Sequence, residues 1–461
     1  MNQLHPTKIE ALKGNFSGEV LLPSDDAYEN ARKIWNAMID KHPALIVRCA
    51  TTSDVVRAVN IARDNGLLLA VRGGGHNIAG NAMCDDGIVI DLSQMKAASV
   101  DPGARRVTIE GGATLADLDA ATQAHGLATP LGINSTTGVA GLTLGGGFGW
   151  LSRKYGMTVD NLESAEVVTA AGEVVRASAT EHSDLFWALR GGSGNFGVVT
   201  RFEFRLHPVG PDVLSGLILF PLSEAKSVLQ QYREFVARAP DELSVWTVLR
   251  QAPPLPFLAA EVHGREVLVL ALLYAGAPEH GNPLIEPLRR FGHPVGEHVG
   301  VQPYTAWQQA FDPLLTPGAR NYWKSHNFSR LNDKLFDAVI AYIEKLPSSQ
   351  CEIFFGAIGG ATTRPTPDSA AYAHRDAQFV MNVHGRWADP ADDKRCIGWA
   401  RDFFNPSAPF ASGGVYVNFL TADEGDRVSA AYGPNYNRLA QVKRKYDPAN
   451  LFRVNQNIKP A

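Results

Sequence analysis

The sequence feature that most constrains the fold is a run of three glycines, Gly73, Gly74 and Gly75, followed directly by His76. Glycine adopts positive φ without strain and lets a backbone lie close to a ligand, so this run can present several N–H donors to a phosphate or pyrophosphate. An imidazole beside such a loop can serve as ligand, base or covalent attachment point. The pattern is also typical of an ordinary turn with a structural histidine, so its assignment depends on the rest of the chain.

Composition places the chain among globular proteins of more than one domain. Its 461 residues, 45% apolar and 20% charged, suggest about two or three domains with sizeable cores. The net charge of −4 and the absence of a basic run argue against nucleic acid or a membrane surface as partner. The four cysteines lack metal-ligand spacing and fit a reducing compartment, although two disulfides are also compatible with the sequence. No signal-peptide core is visible in residues 1–13, and we expect a cytoplasmic protein.

Residues 41–205 mix short helices and strands in an α+β pattern. A helix is predicted from a cap at Thr52-Ser53-Asp54 to Gly66, and a strand over 67–71 leads into the glycine run. Further elements are predicted in order along the chain: strands over 88–92 and 106–110 and a helix over 114–125.

Two more glycine blocks follow. Residues 138–149 contain six glycines in twelve positions, against an average of about 7%, and predict a packed loop pressed against something planar. Residues 191–197 contain GxGxxG, but a helix-like stretch precedes this block and a strand follows it. That order is the reverse of an NAD-binding fingerprint, so we reject NAD as the cofactor.

Residues 213–420 predict a second unit of alternating strands and helices, antiparallel in character. Its predicted strands cover 215–220, 266–274, 352–358 and 378–384, and its predicted helices cover 224–237 and 332–345. A final helix is predicted over 436–445.

Several motifs together resemble one family of flavoproteins. They are VRGGGH at 71–76, GGGFG at 145–149, FWALRGG at 186–192 and YDPANLFR at 446–453. The chain resembles the vanillyl-alcohol oxidase superfamily, and most closely the branch that contains berberine bridge enzyme and 6-hydroxynicotine oxidase. This resemblance implies a PCMH-type FAD-binding domain in two parts, 1–212 completed by 421–461. It also implies an inserted α/β substrate domain, 213–420, in which helices cover an antiparallel sheet.

The resemblance also implies FAD joined covalently to His76 through the flavin 8α-methyl, which suits a neutral and therefore nucleophilic imidazole. Relatives with a second attachment carry a cysteine where this chain has Asn134, so single attachment is expected. The implied cofactor-binding residues are Arg72, Gly73, Gly74, Gly75, His76, Asn77, Asn134, Thr136, Gly138, Gly141, Gly145, Gly146, Gly149, Val198, Asn455 and Asn457.

On the substrate side, the resemblance places the motif Tyr416-Val417-Asn418-Phe419 over the flavin. A strand here would put Tyr416 and Asn418 on one face and Phe419 on the other. Phe419 stands where sugar- and alcohol-oxidising relatives often carry a tyrosine base. Either Tyr416 or another phenol is then the base, or the substrate, such as a neutral amine, needs no strong base; Tyr416 as a packing residue is the other alternative. Thr137, expected beside flavin C4a and as small as valine, predicts access for O₂.

Five further residues lie outside these motifs. Asp368, His374 and Arg375 resemble a family turn near the active site, where His374 is either functional or structural. His384 and Trp387 are interpreted as packing residues.

The sequence thus predicts an FAD-dependent oxidase, with Tyr416, Asn418 and Thr137 as catalytic residues. It would move a hydride from a C–H next to an amine or hydroxyl of a small substrate to flavin N5, with O₂ reduced to H₂O₂. The alternatives are an oxidative cyclase, a dehydrogenase, or a flavin-binding protein without turnover. A monomer or homodimer is expected.

Overall fold

The computed structural model describes residues 14–461, and the expectation about residues 1–13 lies outside them. The described residues form mixed helices and sheets, which confirms the α+β fold class. In chain order, the α-helices are Tyr28–Ala31, Thr52–Asp64, Leu115–Gln123, Val139–Leu144, Ser152–Tyr155, Ser183–Leu189, Ala225–Val236, Asn282–Ile285, Tyr304–Gln308, Asp333–Ile343, Asp393–Ser407, Val428–Tyr432 and Tyr436–Tyr446.

A four-stranded sheet carries the glycine run. Its strands, in spatial order, are Glu19–Leu21, Leu45–Arg48, Ile88–Asp91 and Leu69–Arg72, of which the last three are mutually parallel. Parallel strands end at the same edge of a sheet, so Gly73 to Gly75 leave the sheet at its carboxyl edge. The helix Thr52–Asp64 packs on this sheet through Val55, Ala58 and Val59.

That helix begins and ends for local reasons. Its cap is Thr51, one residue before the predicted start: the Thr51 hydroxyl accepts from the Asp54 N–H, and the Asp54 carboxylate accepts from the Thr51 N–H. It ends before Gly66, whose φ of +63° only glycine adopts easily.

A five-stranded antiparallel sheet continues this part of the molecule. Its strands, in spatial order, are Ala98–Asp101, Arg106–Glu110, Val198–Arg205, Leu162–Val168 and Val174–Ser178. The predicted strand over 106–110 is confirmed, and the GxGxxG block lies between a helix and a strand as expected. A two-stranded ribbon pairs Leu127–Ala128 with His207–Pro208.

The carboxyl-terminal segment is fixed to the GxGxxG block. Lys443 is fully buried, and its Nζ donates to the carbonyls of Asn195 and Phe452 and to the Asp447 carboxylate. A buried ammonium group with three acceptors, one of which is an ion-pair partner, is fully satisfied. Residues more than 240 positions apart in the chain therefore form one structural unit.

A seven-stranded antiparallel sheet forms the middle of the chain. Its strands, in spatial order, are Gly296–Pro303, Asp212–Pro221, Glu266–Tyr274, Leu243–Gln251, Glu352–Ala357, Phe379–Trp387 and Arg320–Phe328. Alternate residues of a strand face opposite sides. One side packs with the helices Ala225–Val236, Asp333–Ile343 and Asp393–Ser407 into the largest core, and the other side faces a cavity.

Several elements were missed or placed differently by the sequence analysis. The strands Leu243–Gln251, Gly296–Pro303 and Arg320–Phe328 and the helix Asp393–Ser407 were not predicted. The 138–149 block, predicted as a loop, begins with the helix Val139–Leu144. The predicted strand at 416–419 is wrong: Val417–Phe419 is a 3₁₀ turn.

Candidate active site

The main cavity has a volume of about 360 Å³ and lies between the glycine loops and the open face of the seven-stranded sheet. We call the part of its wall that is formed by the glycine loops, His76 and the carboxyl-terminal tail the floor, and the part formed by the seven-stranded sheet the roof. The floor comes from the first 200 residues and the tail, whereas the roof comes from the middle of the chain. Any ligand that fills the cavity therefore contacts both parts.

The floor depends on two glycines that touch through their backbones. A Cβ on Gly74 would collide with the backbone nitrogen of Gly138, and a Cβ on Gly138 would collide with that of Gly74. The first and second glycine blocks therefore meet at a separation that other residues do not permit. Their junction places His76 beside residues 132–137, which we call the attachment loop.

His76 is held by a chain of hydrogen bonds in the attachment loop. The Thr136 backbone N–H donates to Asn134 Oδ1 over 3.1 Å, which identifies that atom as the oxygen. The Thr136 hydroxyl also lies 2.7 Å from Asn134 Oδ1, so its hydrogen must point there. Thr136 Oγ1 can then only accept from His76 Nε2, 2.9 Å away. These hydrogen bonds leave His76 protonated at Nε2 and leave Nδ1 with a free lone pair.

The surroundings of His76 keep its ring neutral. Burial lowers the pKa of His76 to about 3, although the ring keeps partial access to the cavity. Trp35 stacks on the imidazole with a centroid distance of 5.1 Å and an interplanar angle of 22°. Around neutral pH the site therefore presents a neutral and oriented imidazole.

The Tyr416 hydroxyl is an acceptor of two hydrogen bonds at the boundary between floor and roof. Its oxygen accepts from the Gly147 N–H at 3.0 Å and from Asn418 Nδ2 at 2.9 Å. Burial raises the pKa of Tyr416 to about 12, in spite of these two donors. Because Val417–Phe419 turns as a 3₁₀ helix, Phe419 does not face away as a strand would require, and Tyr416, Asn418 and Phe419 all line the cavity.

The roof carries a row of polar side chains that the sequence analysis missed. Strand register places Arg250 opposite Glu352, Glu352 opposite His384, and His384 opposite Trp323. All four line the cavity. The residues come from four separate strands, so only the sheet register brings them together. His384, interpreted from the sequence as a packing residue, is buried and lies on the cavity wall.

Glu352 is a buried carboxylate held in its charged form. Arg250 Nη1 donates to Glu352 Oε2 over 2.7 Å. Burial alone would raise the pKa of Glu352, but the neighbouring positive charges, that of Arg250 first, outweigh it, and the pKa lies below its usual value. Glu352 is the one Asp or Glu on the cavity wall among the described residues.

The contact between Glu352 and His384 lacks a proton. Asn321 Nδ2 donates to the Ala319 carbonyl, so Asn321 Oδ1 faces His384 Nε2 at 3.1 Å and accepts from it. Burial lowers the pKa of His384, so the ring is neutral and its Nδ1 is bare. This Nδ1 faces Glu352 Oε1 at 3.4 Å, which is long for a charged hydrogen bond. The pair can take up one proton between these two atoms.

Aromatic rings enclose the space between floor and roof. Trp323 lies 5.3 Å from Phe419 and 5.7 Å from Trp35, and Trp246 stacks on Phe354 at 5.9 Å, measured between ring centroids. Such walls favour a flat or cationic ligand over a heavily hydroxylated one.

The cavity gathers most of the residues singled out from the sequence. Those on its wall are Gly73, Gly74, Gly75, His76, Asn77, Asn134, Thr137, Gly138, Gly141, Val198, Tyr416, Asn418 and Asn455. Those not on its wall are Arg72, Thr136, Gly145, Gly146, Gly149 and Asn457.

The residues off the wall have contacts of other kinds. Thr136 touches His76, as described, and Arg72 donates to the Ala31 carbonyl. A Cβ on Gly145 would collide with the Asn418 side chain, so this glycine permits the position of Asn418. His374 binds the Ala431 carbonyl and Trp387 binds Asp393, and neither lines the cavity.

The cavity fits a dinucleotide such as FAD. It extends from Asn455 and Gly194, past the glycine junction, to the roof. A Cβ at Gly141 or Gly194 would meet nothing within 4 Å, which leaves room for a ligand against the backbone. Asn455 Oδ1 is buried without a partner and is free to accept from one.

Comparison with known proteins gives the family of this chain. A family model described as an FAD binding domain matches residues 43–178, and one described as berberine and berberine like matches residues 415–459. An FAD-linked oxidoreductase from Dictyostelium discoideum is 34% identical over 441 residues, covering 95% of this chain and 93% of its own. The (R)-6-hydroxynicotine oxidase of Paenarthrobacter nicotinovorans is 31% identical over 462 residues, 97% of each chain.

A solved structure matches equally well. The crystal structure of 6-hydroxy-D-nicotine oxidase from Arthrobacter nicotinovorans superposes with a TM-score of 0.87 at 30% identity, covering 97% of this chain and 99% of that one. The chain belongs to the berberine bridge enzyme-like family of FAD-linked oxidoreductases, and it is an enzyme with a PCMH-type FAD-binding fold. Within residues 14–461, no helix is both long and apolar enough to cross a membrane.

Proposed function

We propose that this enzyme is an FAD-dependent oxidase that takes a hydride from a C–H next to an amine nitrogen or a hydroxyl oxygen. FAD, when bound, supplies the hydride acceptor and passes the electrons to O₂, giving H₂O₂. The observation that carries the proposal is that one cavity joins an oriented, neutral His76 in its floor to an unprotonated Glu352–His384 pair in its roof.

His76 would hold the cofactor through Nδ1. The hydrogen-bond chain through Thr136 and Asn134 occupies Nε2, so the lone pair on Nδ1 is the available nucleophile for the flavin 8α-methyl. Asn134 stands where a second attachment would need a thiol, and it is engaged as an acceptor. We therefore propose a single covalent bond, to His76.

The Glu352–His384 pair would receive the proton that leaves the substrate with the hydride. It faces the cavity without a proton between its atoms, and Arg250 keeps the carboxylate charged. Tyr416 is less suited to this task, because it is protonated around neutral pH and its oxygen already accepts two hydrogen bonds. Tyr416 and Asn418 would instead position the substrate through the free Tyr416 O–H.

The roof favours an amine as substrate. Arg250 binds Oε2 of Glu352, so Oε1 is the atom that can accept from an N–H group of the substrate, and the rings around it favour a flat molecule. Thr137 lies on the floor of the same cavity, and we propose that its small side chain leaves a path for O₂. The boundaries 1–212, 213–420 and 421–461, a cytoplasmic location and a monomer or homodimer remain predictions.

Anaerobic mixing of the yellow enzyme with candidate amines and alcohols tests the proposal. Bleaching by a substrate, return of colour in air and release of peroxide are expected. Bleaching with slow recovery in air but fast recovery with a quinone would indicate a dehydrogenase. If no amine or alcohol bleaches the flavin across a broad panel, the proposed activity is wrong.

A further inference from the structure

A fully buried carboxyl group outside the cavity has no role in the chemistry described so far. Asp119 lies in the helix Leu115–Gln123, which packs against the helix Tyr304–Gln308 of the middle segment. Gln308 Nε2 donates to Asp119 Oδ2 over 3.0 Å, and both side chains are 2% exposed. An ionised carboxylate with one neutral donor and no cation would be costly in this position.

Two oxygens of this pair are left without partners. Asp119 Oδ1 and Gln308 Oε1 are both buried and accept no hydrogen bond. The orientation of the Gln308 amide is fixed, because its Nε2 also donates to the Gly132 carbonyl at 3.3 Å. Two acceptor oxygens cannot satisfy each other, but a single proton on Asp119 Oδ1 would turn one of them into a donor.

We propose that Asp119 is a positioning residue whose protonated carboxyl group pairs with the Gln308 amide and thereby holds the attachment loop under His76. Asp119 donates from Oδ1 to Gln308 Oε1 and accepts at Oδ2 from Nε2, so one proton satisfies every polar atom of the pair. Gln308 then binds Gly132, the first residue of the attachment loop.

The same helix also holds the far end of the attachment loop. The Leu115 N–H donates to the Thr137 carbonyl, and the Ala116 N–H donates to the Ser135 carbonyl. Movement between the two helices would therefore reach Thr136, which orients His76, and Thr137 on the cavity floor. Ionisation of Asp119 would cause such movement, because it breaks the pair and leaves a buried charge.

The surroundings of Asp119 support a proton near neutral pH. Burial raises the pKa of Asp119 to about 7, and the Gln308 hydrogen bond is the one contact among the described residues that lowers it. The titratable group that faces Asp119 from the opposite helix is Tyr304, whose own pKa is raised by burial and by the Asp119 charge.

The pH dependence of stability follows from these values. An unfolded aspartate releases its proton near pH 3.9, whereas the folded one keeps it to about pH 7. Folding therefore binds a proton between these limits, and the contribution of Asp119 to stability is full below about pH 4 and is lost as pH rises to about 7.

The test compares the wild-type enzyme with Asp119→Asn, which imitates the protonated acid and keeps the pair. The melting temperature of the wild type should fall, relative to that of the variant, as the pH is raised from acid to alkaline conditions. The visible circular dichroism of the bound flavin should change over the same range in the wild type only. Asp64→Asn, which alters an exposed carboxylate, should keep the wild-type behaviour.

Infrared difference spectroscopy on the wild type gives a second readout that does not depend on a variant folding. A protonated carboxyl band should be present at acid pH, disappear near pH 7 and be missing in Asp119→Asn. None of these measurements depends on substrate turnover. A wild type without this band in the acid range, or an Asp119→Asn enzyme with the wild-type pH dependence of melting and flavin dichroism, would overturn the proposal.

Discussion

The floor and the roof of the cavity are built in different ways. The floor takes its main groups from two short stretches of chain, 73–77 and 132–138, which meet at Gly74 and Gly138. The roof takes Arg250, Glu352 and His384 from three separate strands, which only the sheet register aligns. A floor of contiguous motifs would suit a cofactor that family members share, whereas a roof of scattered residues could change with the substrate.

Replacing His76 should produce the largest change among these variants, the loss of covalently held flavin. It would also separate noncovalent binding of FAD from its covalent attachment. In His76→Ala the glycine junction is intact, so FAD should still bind, but acid precipitation should release all of it. We also expect a lower reduction potential, because the bond to the ring is lost. Flavin content of the precipitate and potentiometric titration measure the two effects.

The control for this variant is His42→Ala, since His42 is an exposed histidine that does not line the cavity. It should retain all of its flavin after precipitation. Flavin that stays bound to His76→Ala, or flavin joined through sulfur to one of the four cysteines, would contradict the assignment of the floor.

Sequence reasoning located the floor because each of its groups belongs to a local pattern. A glycine run followed by histidine can be seen without knowing the fold, and the helix over 52–64 was visible from the polar residues at its start and from Gly66. The fold class and the family followed from such patterns and are confirmed.

The roof could not be predicted in the same way. Glu352 starts an apolar strand, and a carboxylate in that position was the one local signal that pointed to a buried charge. Two other residues of the row, Arg250 and Trp323, lie on the strands Leu243–Gln251 and Arg320–Phe328, which the sequence analysis missed because both have mixed polar patterns. The 416–419 turn was misassigned because its apolar residues also fit a strand.

Glu352→Gln should cause the next largest effect, a slower reduction of the flavin by substrate. It tests whether the roof supplies the group that accepts the substrate proton. The amide is neutral and cannot take up the substrate proton, so flavin reduction by substrate should slow by about 10² to 10⁴-fold. The reaction of reduced enzyme with O₂ should stay nearly unchanged. In the wild type, reduction should also slow toward acid pH, because a Glu352–His384 pair that has already bound a proton from solvent cannot accept one from the substrate.

Two variants separate this role from alternatives. Glu297→Gln changes a carboxylate on the outer strand of the same sheet, away from the cavity, and should leave reduction intact. Tyr416→Phe removes the phenol that was one of the candidate bases in the sequence. If Tyr416→Phe slowed reduction more than Glu352→Gln, the proton acceptor would belong to the motif and not to the roof.

Thr137→Leu should have a smaller effect, confined to the reaction of the reduced enzyme with O₂. A larger side chain on the cavity floor would hinder O₂ and slow reoxidation by roughly tenfold, about 1.4 kcal/mol, with little change in reduction by substrate. Thr137→Val keeps the shape and should behave as the wild type. Stopped-flow measurement of both half-reactions shows whether Thr137 controls the access of O₂ or only packs the cavity floor, since substitution of a packing residue would slow both half-reactions together.

Thr136→Val should produce the smallest effect, a modestly slower covalent attachment of FAD. It tests whether the hydrogen bond to Thr136 is needed to orient the His76 imidazole. The variant removes the oxygen that accepts from His76 Nε2 and keeps the branched shape of the side chain. One net hydrogen bond is worth about 0.5–1.5 kcal/mol, so covalent attachment of added FAD to the apoprotein should slow by about two- to tenfold. Thr136→Ser retains the hydroxyl and should attach FAD at nearly the wild-type rate. Equal rates in Thr136→Val and the wild type would mean that the glycine junction and Trp35 are sufficient to orient the imidazole, and that its tautomer does not depend on the attachment loop.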